Sequence, residues 1–214
     1  FFFGRMVKPK DRTWRGIIVD GKNHLMGRLA AVVAKQLLRG ENICVVRCED
    51  INISQSFMRN KFRLKNIMRK RHLTQPKRGP FHYRSPRKMF EKVVRSMLPF
   101  RTAHGGAAFQ RLRVAEGIPQ PFAKKKRCIC PAAHRMLRLA PGRKFCRLGD
   151  LCTDIGWRHD KTIKDLEGKR KKLAAQRWGK KKELTKIRRA AERIVDRIIP
   201  RIEYGDPKIK IGSL

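Results

Sequence analysis

Cysteine, histidine and the acidic side chains are the groups in this sequence that could carry reactive or metal-binding chemistry. Cys44 and Cys48, Cys128 and Cys130, and Cys146 and Cys152 are spaced C-x3-C, C-x-C and C-x5-C. None is the C-x2-C knuckle from which a tetrahedral zinc site is usually built. Cys44 and Cys48 fall in an apolar segment, where a thiol behaves as a small hydrophobe. Reduced structural thiols in a reducing compartment are therefore expected. His24, His72, His82, His104, His134 and His159 nowhere form H-E-x-x-H, and G-x-S-x-G is absent. Ser54, Ser56, Ser85 and Ser96 have no acid–base partner nearby in sequence. Glu49-Asp50 is the one adjacent acidic pair, better suited to capping a helix or pairing arginines than to holding magnesium. No catalytic constellation, metal, cofactor or small-molecule substrate is expected.

Gly21 and Gly27-Arg28 invite a phosphate-loop interpretation, which fails in detail. G-x4-G-K-[ST] needs glycine where Met26 stands, and no Lys-[Ser/Thr] follows. The turn is structural, although Arg28 at a helix start can still meet a phosphate.

Cations carry the strongest signal. Lys77-Arg78-Gly79-Pro80-Phe81-His82-Tyr83-Arg84, continued by Arg87 and Lys88, interleaves positive charge with two aromatics on a proline-stiffened loop. The cations suit phosphate, and Phe81 and Tyr83 either stack on unpaired bases or anchor the loop to the core. Lys61, Arg63, Lys65, Arg69, Lys70 and Arg71 form a basic helical run before that loop. Lys124, Lys125, Lys126 and Arg127 are a four-cation run that fits RNA contact, a nuclear-import signal or a solvated face. Arg143 and Lys144 complete the candidate set.

These side chains need elements to hold them. Ile17–Asp20 reads as a strand, Gly27–Leu38 as a helix with Leu25, Leu29, Val32, Val33 and Leu37 on one face, and Ile43–Cys48 as a buried strand. Strand, helix and strand in succession form a βαβ unit, which predicts a parallel sheet with a right-handed crossover. Helices are predicted over 61–71, over 87–98 with Ser85 as cap and Pro86 at the first position, and over 107–114. The segment 128–130 is a possible strand. Beyond Asp160 the pattern becomes helical and highly charged. Leu184, Ile187, Ala190, Ala191, Ile194, Val195, Ile198 and Ile199 make an apolar stripe stopped by Pro200. Gly168 and Gly179 predict two helices there rather than one. The organisation expected is a tail over 1–15, an α/β core over 16–150 and a basic helical extension over 151–214.

Charge names the class of partner. The 214 residues carry 55 Lys+Arg against 17 Asp+Glu, a formal net charge of +38, so the compact state repels itself unless a polyanion neutralises it. The excess is nearly even between core and extension, which fits a surface wrapped by phosphate on several sides. No stretch approaches the ~20 apolar residues of a spanning helix, and Phe1-Phe2-Phe3 is too short for a signal-peptide apolar region. RNA fits better than membrane.

Five segments resemble one family in order and spacing: Asp20–Ala31, Val46–Ser54, Arg78–Pro86, Arg95–Pro99 and Arg111–Pro121. They are similar to large-subunit ribosomal protein thirteen over about residues 16–150, and the basic extension is similar to its archaeal–eukaryotic branch. Ser96 stands where that family usually has glycine, and Ala115 where an aromatic is expected. The resemblance implies a three-layer α/β/α core with a four-stranded parallel sheet. It further implies binding to large-subunit rRNA, neighbouring ribosomal proteins met through the extension, and residence in the cytosolic ribosome after passage through the nucleus and nucleolus. A free regulatory or transport RNA-binding protein is the alternative, and an enzyme acting on nucleic acid a third.

Overall fold

The computed structural model describes residues 16–198, so the expected tail over 1–15 and the stop at Pro200 lie outside the described residues. Strand β1 (Ile17–Asp20) leads through a turn into helix α1 (Met26–Leu38) and strand β2 (Ile43–Val46), the predicted βαβ unit. β1 and β2 pair in parallel with Ile17 opposite Ile43 and Asp20 opposite Val46. Gly21 sits where a Cβ would lie 3.0 Å from both Ile51 and the Val46 carbonyl, so the turn takes glycine for packing and not for phosphate. β2 stops two residues short of the predicted Cys48, because the left-handed backbone of Arg47 (φ 56°) turns the chain into a 3-10 turn over Cys48–Asp50.

The sheet has three parallel strands in the order β1-β2-β4, where the family resemblance implied four. β4 (Leu112–Val114) falls in the stretch predicted as helix over 107–114. Helix α4 (Ala103–Gln110) instead stops at Arg111, whose guanidinium donates to the Leu37 carbonyl (2.9 Å) at the end of α1. Three residues are too few for periodicity to separate strand from helix. The missing fourth strand has a visible remnant. Cys128 donates to Ile18 O (2.7 Å) and accepts from Asp20 N (3.0 Å), a single parallel bridge on the free edge of β1. Two residues on, the Cys130 N–H turns to His24 Nε2 (3.0 Å) and Pro131 has no N–H to give, so the ladder ends after one rung.

Alternation along the strands buries both faces of the sheet. Val19, Ile43, Val45, Leu112 and Val114 join Leu29, Val33, Leu37, Phe90, Val94, Leu151, Cys152 and Trp157 among the buried residues, most of them in the main core. Ile18, Cys44 and Val46 pack on the opposite side with Phe122 of the short helix α5 (Gln120–Ala123). Ala115 sits against this second cluster, which takes its aromatic from Phe122. A separate antiparallel ribbon joins β3 (Asn52–Ser54) to β5 (Phe145–Arg147).

Helix α2 (Phe57–Arg69) starts one turn earlier than predicted, and α3 (Pro86–Ser96) is capped as predicted, the Ser85 hydroxyl accepting from Lys88 N at 3.3 Å. Ser96 ends that helix with its hydroxyl donating to Val93 O (2.7 Å). Helices α6 (Arg135–Arg138) and α7 (Leu148–Ile155) precede α8 (Asp160–Ile198), one helix of 39 residues where two were predicted. Each glycine costs a helix about 1 kcal/mol, and the Lys, Arg, Leu and Ala around Gly168 and Gly179 outweigh it without a proline to intervene. The chain divides into two compact units, one ending at Glu167 and one beginning at Gly168. In the second, Leu184, Ile187, Ile194 and Val195 of the stripe are all more than half exposed.

Candidate nucleic-acid interface

Whether a cation already owns a carboxylate sorts the basic residues. Arg47 holds Asp20 through Nε (2.9 Å) and Nη2, across the ends of β1 and β2. Arg147 holds Asp50 (2.6 Å) and reaches Asp150 (3.4 Å). Of the predicted contact residues, Lys61 is bound to Asp154 (2.7 Å), and Arg87 and Lys88 share Glu91 (3.0 and 2.9 Å). Arg28, Arg63, Lys65, Arg69, Lys70, Arg71, Lys77, Arg78, Lys124, Lys126, Arg143 and Lys144 are exposed, and no carboxylate among the described residues lies within ion-pair distance of them. Lys125 is also exposed, and Arg127 is half-buried with Nη1 on the Ala123 carbonyl (3.5 Å). An exposed cation with no internal partner keeps its charge for an external one.

The segment between α2 and α3 folds on its own histidines. His72 Nδ1 accepts from Gln75 N (3.0 Å) and lies within hydrogen-bond distance of the Thr74 hydroxyl (3.2 Å), while His82 Nε2 meets the Lys70 carbonyl (2.8 Å). A Cβ on Gly79 would fall 2.6 Å from His72 N, so glycine is required where the loop closes on His72. The loop thereby displays Lys77 and Arg78 on a single 3-10 turn. Phe81 is 65% exposed and Tyr83 49% exposed, Tyr83 with the Lys88 ammonium 5.9 Å from its ring. Tyr83 also lines a 390 Å³ groove between α2 and α3 beside Leu64, Ile67, Met89 and Val93. Arg84 is exposed and has its guanidinium against Gly156.

Arg143 and Lys144 are brought together with three arginines outside the predicted set. Arg59, Arg138, Arg143 and Lys144 line one depression of 550 Å³, and Arg135 joins Arg143 and Lys144 in the next. The only linear signal was the doublet Arg135…Arg138, too sparse to stand out among 55 basic residues.

The groups that resembled catalytic chemistry have structural partners. The buried Glu49 carboxylate accepts the Gly117 N–H through both oxygens (3.1 and 3.0 Å), and burial raises its pKa. Burial also acts to raise Asp20, but the hydrogen bonds from Arg47 and Lys22 N–H outweigh it and hold the carboxyl below its ordinary value. Among the described residues no three His, Cys, Asp or Glu side chains converge as metal ligands, and no helix is long and apolar enough to cross a membrane.

The exposed cations, the self-closed basic loop and the parallel sheet that carries them lie largely within one family pattern. The family model described as Ribosomal protein L13 matches residues 12–121, more than half of the chain. That span contains the whole βαβ unit, the loop between α2 and α3, and β4. The chain belongs to the ribosomal protein L13 family.

Proposed function

We propose that the protein is a structural constituent of the large ribosomal subunit that binds and neutralises rRNA, and so supports subunit assembly and translation. The observation that carries this reading is the set of exposed cations with no carboxylate in ion-pair distance among the described residues, on a chain of net charge +38 within a ribosomal protein family. Such a surface binds chiefly by releasing counterions from phosphates. Arg28, the α2 face, the loop from Lys77 to Lys88, the run from Lys124 to Arg127, and Arg143 with Lys144 are the proposed contacts. The exposed stripe of α8 is proposed to dock on neighbouring ribosomal proteins, since most helix stability comes from tertiary packing. The basic extension supports placement in the archaeal–eukaryotic branch, hence in cytosolic ribosomes after nucleolar assembly. The reading requires no catalysis.

Sedimentation of cell extract through sucrose tests it. Stoichiometric co-migration with large subunits is expected. Migration free of subunits would favour a regulatory or transport RNA-binding protein instead.

A further inference from the structure

Three adjoining depressions follow the β3–β5 ribbon. The first, of 550 Å³, is rimmed by Arg59, Arg138, Arg143 and Lys144. The second, of 650 Å³, shares Arg143 and Lys144 and adds Phe57, Arg135 and Phe145. The third, of 570 Å³, shares Phe57, Arg135 and Phe145 and ends at Asn52. Shared walls make them one continuous trough. Its rim is cationic, and Arg59, Arg143 and Lys144 have no carboxylate within ion-pair distance among the described residues. Its middle is apolar and aromatic. The Arg135 guanidinium lies 4.0 Å from the centroid of the Phe145 ring, which is still 41% exposed. At its far end two buried donors, Asn52 Nδ2 and Arg135 Nε, find no acceptor among the described residues, and Asn52 as a whole is only 4% exposed. Asp50 and Asp150 border that end but are engaged by Arg147.

The trough is also built to stay open. Buried Asn60 donates to Ser54 O (3.0 Å), Gln55 O (3.3 Å) and Ser56 O (3.2 Å), and Gln55, held at φ 84°, donates its N–H to Lys144 O (2.9 Å). That clamp fixes both walls, so little order has to be gained on binding.

We infer that this trough binds an unpaired stretch of rRNA, with a base stacked on the Arg135–Phe145 pair and the flanking phosphates on Arg59, Arg138, Arg143 and Lys144. The inference rests on the rRNA-binding reading above and makes it specific. A duplex presents only its backbone here and has no use for an aromatic floor, whereas an unpaired strand uses floor and rim together. An acidic peptide would meet the rim but leaves the stacked pair unused.

The test uses the full chain with a labelled short oligouridylate and an RNA duplex of equal phosphate number. Phe145→Leu is expected to weaken oligouridylate binding by about tenfold while leaving the duplex unchanged, the loss of one stacked base. The Arg143→Ala, Lys144→Ala double variant changes only exposed side chains, so its fold is safe. It should lower the log–log salt slope for oligouridylate by about one to two units. Either variant binding both RNAs as the natural chain does overturns the trough while leaving the general reading intact. Displacement of oligouridylate by polyglutamate as readily as by unlabelled oligouridylate overturns it in favour of an acidic partner. A natural chain that binds neither RNA overturns both.

Discussion

The His24 imidazole accepts a hydrogen bond from the backbone N–H of Cys130 at 3.0 Å, joining residues 106 positions apart. The acceptor is Nε2, so the ring proton resides on Nδ1, which donates to the Lys22 carbonyl at 2.8 Å. His24 is 1% exposed, and this bond diverts the chain from the edge of β1 into the turn at Pro131. A protonated ring could not accept from Cys130.

Burial, with the nearby His134 adding to it, lowers the His24 pKa below its ordinary value. The unfolded chain therefore takes up the proton first as pH falls below about 6.5. Stability is full above that point and declines on acidification until the pH reaches the lowered folded value. Thermal melts of the natural chain and of His24→Gln across this range should show a smaller pH dependence in the variant. Equal dependence in the two would mean that His24 does not govern it.

Replacing Arg78 and Arg84 together by Ala should weaken binding to rRNA fragments and lower the salt slope by about one unit per lost phosphate contact. Tyr83→Ala should cost roughly 1–3 kcal/mol of binding with little change in slope if the ring stacks on a base. A ring that serves the α2–α3 groove instead gives a lower melting temperature for the free protein. Unchanged affinity in the double arginine variant removes this loop from the interface.

Ending the chain after Glu167 removes the second compact unit. The shortened protein should fold, because Trp157 and Ile163, which pack with the core, are retained. It should be poorly incorporated into large subunits. Incorporation equal to that of the full chain contradicts a docking role for the exposed stripe.

The thiols should separate by burial. Cys152 is buried and its pKa is pushed up to about 12, and burial pushes Cys48 up as well. Thiolate is the reactive form, so both should resist alkylation until the chain unfolds. Exposed Cys128 should be modified first in the native protein. Native labelling of Cys152 ahead of Cys128 would show that the core opens readily.

Local patterning was enough for the βαβ unit, the capped α3 and the cationic loop, because each is set by neighbours within a few turns of chain. Ile17, Ile18 and Val19 form an unbroken apolar run, as do Ile43–Val46, and Ser85-Pro86 supplies the cap and first-turn residue that a helix start favours. The strand at Leu112–Val114 was hidden, since three residues acquire strand character only from the free edge of β2 that they cover. The continuity of α8 was hidden as well, because a glycine weighs against a helix only as much as its neighbours allow. Tertiary structure alone assembled the trough, drawing Arg59 from α2, Arg135 and Arg138 from α6, and Arg143 and Lys144 from the turn before β5. It also decided which cations are free for a partner. Asp154 neutralises Lys61 from 93 residues away, a pairing that no local pattern contains.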